Sequence, residues 1–124
     1  MHKSFLVTAA LLGALSVALG AFGAHGLKQM LSEQSLSVFE TAVRYQFYHV
    51  FALALTAVLY KEIPVRTVVY AGRLFIAGMV FFSGSLYLLV ALPHLRWLGA
   101  ITPLGGICFI TGWIALAAAL AKSR

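Results

Sequence analysis

Residues Ser4 to Ala24 form an apolar run without a single charged side chain. An α-helix needs about 20 such residues to cross the ~30 Å hydrocarbon layer of a bilayer. The run therefore predicts a membrane-spanning helix and sets the terms for the rest of the chain. A cleaved signal peptide is the competing reading, with His2 and Lys3 as its basic start. The run is too long for that, and cleavage near Gly20 would leave only three spans.

Composition agrees. Among 124 residues, 62% are hydrophobic and 10% are charged, whereas soluble domains carry roughly 25% charged residues. So few charges cannot coat a globule, which excludes a soluble domain and a disordered chain alike. Three more spans follow, giving an all-α, integral membrane four-helix bundle as one transmembrane domain over residues 1–124. The spans fall at about 4–25, 38–60, 70–92 and 97–121. Ser37 and Glu40 have the spacing of a capping box, which places the start of the second helix near Ser37. Lys61, Glu62 and Pro64 close it. Pro93 and Arg96 separate the last two spans. Pro103 implies irregular first turns in the fourth.

Nine basic residues against three acidic ones give a net charge of +6. In a soluble protein that balance would suggest nucleic acid; in a bilayer it orients the chain, so no nucleic-acid partner is expected. Lys3, Lys61, Arg66, Arg73, Lys122 and Arg124 share one side, and Lys28 and Arg96 lie on the other, with Arg44 at its edge. The positive-inside rule then puts both termini in the cytoplasm. Cys108 has no neighbouring Cys or His at metal spacing and reads as a small packing residue. Small residues recur along the first span (Ala9, Gly13, Ser16, Gly20, Gly23) and the last (Gly105, Cys108, Gly112, Ala115, Ala119). Such stripes let helix backbones approach in lipid, within one chain or between copies in a homo-oligomer.

The informative segment is ETAVRYQFYH, Glu40 to His49. Polar and ionisable side chains inside a span are costly, at least about 3 kcal/mol for an unpaired charge. If Tyr60 marks the cytoplasmic boundary, His49 lies about 16 Å from it, near the midplane, and Arg44 about 24 Å along. His25, Glu40 and Arg44 then share a level, with Gln46 and His49 deeper. Two readings follow. In one, the cluster is a structural clamp, with Glu40 paired to Arg44 and the histidines donating to backbone carbonyls. In the other, His25, Glu40, Arg44, Gln46 and His49 line a binding site for a proton or a small anion. A haem or a metal shared by the histidines and Glu40 fits less well, because His25 and His49 lie at different depths; no metal and no cofactor is expected. Ser83 and Ser85 sit mid-run without a base, and their hydroxyls are expected to bond back to helical carbonyls. Tyr87 and Trp113 belong to the aromatic residues available for interface belts.

The motifs GAFGAHGLK (Gly20–Lys28), FETAVRYQFYH (Phe39–His49), FSGSLYLL (Phe82–Leu89) and GAITPLGG (Gly99–Gly106) resemble the YgdD family of small bacterial inner-membrane proteins, to which human transmembrane protein 256 is related. The resemblance implies four transmembrane helices, residence in the bacterial cytoplasmic membrane and no assigned activity. Its motifs fall on His25, Glu40, Arg44, Gln46 and His49. Three functional classes remain: an accessory protein serving a membrane partner or the bilayer, a small permease or proton-linked carrier, and an enzyme or cofactor binder. The first is favoured, mainly because the hydrophilic surface is so small; four helices also leave little room for a closed pocket of ~300 Å³ within one protomer, and an oligomer that supplied one would keep the second class open.

Overall fold

The structure is a computed structural model and describes residues 1–123; Arg124, counted among the charges above, lies outside the described residues. It is all-helical: α1 spans Lys3–His25, α2 Glu33–Glu62, α3 Arg66–Gly78, α4 Gly84–Ala91 and α5 Leu98–Lys122. A five-residue π-helical segment, Met79–Ser83, joins α3 to α4. These three pieces form one continuous third span, Arg66–Ala91, so four helices are long and apolar enough to cross a membrane.

The boundaries follow from local chemistry. At its start, α1 is capped by His2, whose Nδ1 accepts from the Phe5 amide, while the His2 amide donates to the Ala57 carbonyl near the end of α2. A 3₁₀ turn, Leu27–Gln29, leads into α2. That helix begins at Glu33, about five residues before the expected start. Ser32 is the N-cap, accepting from the Ser35 amide at 3.1 Å. Ser37 lies inside the helix, and its carbonyl accepts from the Thr41 hydroxyl. Two serines compete for the same role, and the earlier one satisfies the orphan amide. Pro64, which cannot continue a helix, separates α2 from α3. Around residues 95–100 the backbone makes tight i+3 hydrogen bonds, so α5 opens on a narrow turn, and Pro103 lies within that helix.

In the bundle, α1 packs on α2, α2 on α3 and α4, and the third span on α5. Short connections make successive spans antiparallel. One core cluster joins Phe5, Ala9, Val50, Leu53, Ala57, Met79 and Phe109 across all four spans; a second joins Ala52, Ala71, Phe75 and Leu116. Outward faces carry Leu11, Phe51, Val80, Ile107 and Ile114, as lipid requires.

Glycines set how closely the helices approach. A Cβ on Gly13 would meet Val50 at 3.4 Å, one on Gly20 would meet Val43 at 3.6 Å, and one on Gly112 would meet Phe75 at 2.8 Å. At Gly105 a Cβ would strike the backbone of Phe82 itself. All four glycines thus face a neighbouring helix of the same chain. These contacts also set the registers: Gly13 lies level with Val50, and Gly78 with Phe109, whose ring stacks on His49. The midpoints of the four spans meet near His49.

Candidate functional site

At that level a seam of polar side chains links all four spans. Gln46 is buried on α2. Its Nε2 donates to the Leu12 carbonyl of α1 at 3.1 Å, and its Oε1 accepts from the Tyr87 hydroxyl of α4 at 2.6 Å. Ser16, fully buried on α1, donates to the same Leu12 carbonyl. Nearer the N-terminus of α2, the Ser83 hydroxyl donates to the Ala42 carbonyl at 2.7 Å. Ser83 closes the π-helical segment, whose looser turn brings it against α2. Ser85 donates to the Phe82 carbonyl. Its single hydrogen is thereby used, so the Thr102 hydroxyl of α5 is the donor in their 2.6 Å contact.

His49 completes the seam. A carbonyl can only accept, so the 2.7 Å contact between Nδ1 and the Tyr45 carbonyl places the proton on Nδ1. Nε2 then accepts from the Trp113 indole N–H at 3.1 Å. The two bonds together define a neutral imidazole in one tautomer. Phe109 stacks on the ring at 3.5 Å between centroids, and Trp113 meets Phe75 edge-on. Both ring nitrogens are engaged, so neither presents a lone pair to a metal or a haem iron. Among the described residues no three His, Cys, Asp or Glu side chains gather in a metal-binding group, and no buried side-chain nitrogen or oxygen lacks a hydrogen-bond partner.

The five candidate residues divide into two groups. Gln46 and His49 are buried in the seam. His25, Glu40 and Arg44 are exposed, nearer the end of the bundle where α1 closes and α2 begins. His25 Nδ1 bonds to the Ala21 carbonyl of its own helix at 2.9 Å. Glu40 and Arg44 border a groove of about 220 Å³ between the end of α1 and α2, walled by Gly20, Gly23, Phe39 and Val43.

Sequence reasoning missed Tyr87, Thr102 and Trp113 as members of the seam, and it sent Ser83 back to its own helix. Tyr87 and Trp113, two of the aromatic residues available for interface belts, aim their polar atoms at Gln46 and His49, while the Trp113 ring stays 44% exposed on the outer face. Ser85 does bond within its own segment, as expected. Other cavities are surface grooves. One of about 400 Å³ lies between α1 and the third span, with Gln46 and Tyr87 reaching it among apolar neighbours such as Leu12 and Ile76.

Helix number, apolar exterior and a satisfied polar interior define a small integral membrane protein of the all-helical class. Residues 19–106 match the family described as Protein of unknown function (DUF423). The chain belongs to that family. It is 50% identical to a UPF0382 membrane protein of Staphylococcus haemolyticus, over 92% of each chain. It is 44% identical to the UPF0382 membrane protein YwdK of Bacillus subtilis, over 97% of this chain and 98% of the relative. A UPF0382 membrane protein of Staphylococcus aureus is 48% identical over 97% of both. No solved structure matches. The chain is thus a membrane protein of a family without an assigned activity.

Proposed function

We propose that this protein is an accessory component of the bacterial cytoplasmic membrane, acting through its lipid-facing surface, with the polar seam as an internal latch. One observation carries this reading: the polar groups buried at the midplane are consumed by one another. Gln46 and His49 each spend a donor and an acceptor on neighbouring spans or their own backbone. A carrier needs polar groups left free to exchange partners with its cargo, and a catalytic site needs a base or nucleophile aimed at a cavity. Where the seam reaches a groove, at Gln46 and Tyr87, the two polar groups are already bonded to each other.

Both termini lie in the cytoplasm in this reading, supported by the basic residues Lys3, Lys61, Arg66, Arg73 and Lys122 at the end of the bundle where the chain begins. The YgdD resemblance belongs to the same proposal, since its four motifs all lie within residues 19–106, the stretch that matches the family. The apolar flanks are available to a membrane-protein partner or a second copy. Proton movement tests the assignment. In vesicles holding an internal pH dye, the wild type and His49→Ala should show the same leak as empty vesicles. A leak in the wild type that His49→Ala abolishes would make the seam a proton path and overturn the latch.

A further inference from the structure

Arg44 takes no part in the seam, yet it lies five residues from His49 along α2. At 1.5 Å per residue, its Cα is about 7.5 Å from the midplane level, within the ~15 Å half-thickness of the hydrocarbon. It is exposed. A guanidinium at that depth must reach outward along its stem and find acceptors. Glu40 stands on the same face, one turn and about 6 Å farther out, and it is exposed as well. The only other acids are Glu33, farther along α2, and Glu62 at its opposite end. One carboxylate can engage at most two of the five N–H donors of a guanidinium fork.

Beside this pair runs the groove of about 220 Å³ between α1 and α2. Gly20 and Ala24 line its α1 side with no more than a methyl group, and the Phe39 ring, packed over Gly23, lines its α2 side with Val43; this leaves an apolar channel open to the bilayer beside a deep cation and a shallow anion. We propose that the groove seats a glycerophospholipid whose headgroup carries a primary ammonium. Its phosphodiester is held by the Arg44 fork, its ammonium by Glu40, and an acyl chain lies along Gly20, Ala24 and Val43. Charge order commits the site to this class. In such a headgroup the phosphate lies deeper and the ammonium nearer water, matching Arg44 below Glu40. A purely anionic headgroup would leave Glu40 facing negative charge. A quaternary ammonium has no N–H for the carboxylate.

The test uses the full chain in vesicles of equal parts phosphatidylethanolamine, phosphatidylcholine and phosphatidylglycerol. After gentle detergent extraction, native mass spectrometry counts the retained lipid. The wild type should hold phosphatidylethanolamine above the other two. Arg44→Leu should lower that retention about tenfold, the loss of one charge-assisted contact. Arg44→Lys, which keeps the charge but loses the fork, should lower it less. Glu40→Gln should erase the preference over phosphatidylcholine. Arg96→Leu, a basic residue elsewhere on the same end of the bundle, should change nothing. Unchanged retention in Arg44→Leu, an equal loss in Arg96→Leu, or wild-type preference for either other lipid would overturn the proposal. Both site residues lie outside the buried seam, so thermal melts should match the wild type. Should Arg44→Leu not fold, Arg44→Lys and Glu40→Gln carry the test.

Discussion

Removing the Gln46 amide tests the latch most sharply. In Gln46→Leu the side-chain volume is nearly kept, while two cross-helix hydrogen bonds vanish, one to the Leu12 carbonyl and one from Tyr87. The losses are unequal. The Leu12 carbonyl keeps the Ser16 hydroxyl as a donor, but the Tyr87 hydroxyl is left beside apolar atoms. Cross-helix hydrogen bonds in bilayers average about 0.6 kcal/mol and reach about 1.7 kcal/mol. The single variant should therefore lose ~1–3 kcal/mol of stability. Tyr87→Phe removes the stranded hydroxyl and should cost less, ~0.5–1.5 kcal/mol. Added to Gln46→Leu, it should cost almost nothing further. The assay is a double-mutant cycle, with reversible unfolding in mixed micelles followed by circular dichroism and by tryptophan fluorescence. Additive effects of the two changes would refute the Gln46–Tyr87 bond. A neutral or stabilising Gln46→Leu would refute the latch.

Two further outcomes concern packing and boundaries. Gly105→Ala should destabilise by about 1–3 kcal/mol in the same unfolding assay, because the added methyl meets the Phe82 backbone, which cannot rotate aside; Gly106→Ala, one residue on and facing open space, should be silent or slightly stabilising, and equal effects would contradict the register. Ser32→Ala should cost about 1 kcal/mol and speed amide exchange in the first turn of α2, whereas Ser37→Ala should do neither.

The spans were legible because lipid imposes a simple rule on length and charge. Lys3, Lys61, Arg66 and Lys122 mark where apolar runs meet water, and the observed helices end within a few residues of them. The start of α2 was misplaced because Ser32 and Ser37 both offer cap chemistry, and only the fold selects between them. The small-residue stripes pointed to close approach, and Gly13, Gly20, Gly105 and Gly112 all face neighbouring helices. Partners were harder to read. Gln46 meets Tyr87 across 41 residues and His49 meets Trp113 across 64. Helical periodicity says which face a residue occupies, not which side chain stands opposite. The π-helical segment hides for a related reason: its residues MVFFS are ordinary helix formers in an apolar run, and its wider turn is fixed by Ser83 reaching Ala42 and by Phe82 resting on Gly105. The grouping of five candidate residues rested on depth and charge. Depth along a helix axis does not distinguish a buried Gln46 from an exposed Arg44 only two positions away.

The central claim is that the midplane polar groups are bonded to each other and closed to water. Nitrogen NMR of the His49 ring, in the full chain within a lipid bilayer, reads it directly. The account predicts one neutral species, protonated at Nδ1, with an Nε2 signal that shifts when Trp113 is replaced by Phe. A ring protonated at Nε2, or one in rapid proton exchange with water and indifferent to Trp113→Phe, would contradict it.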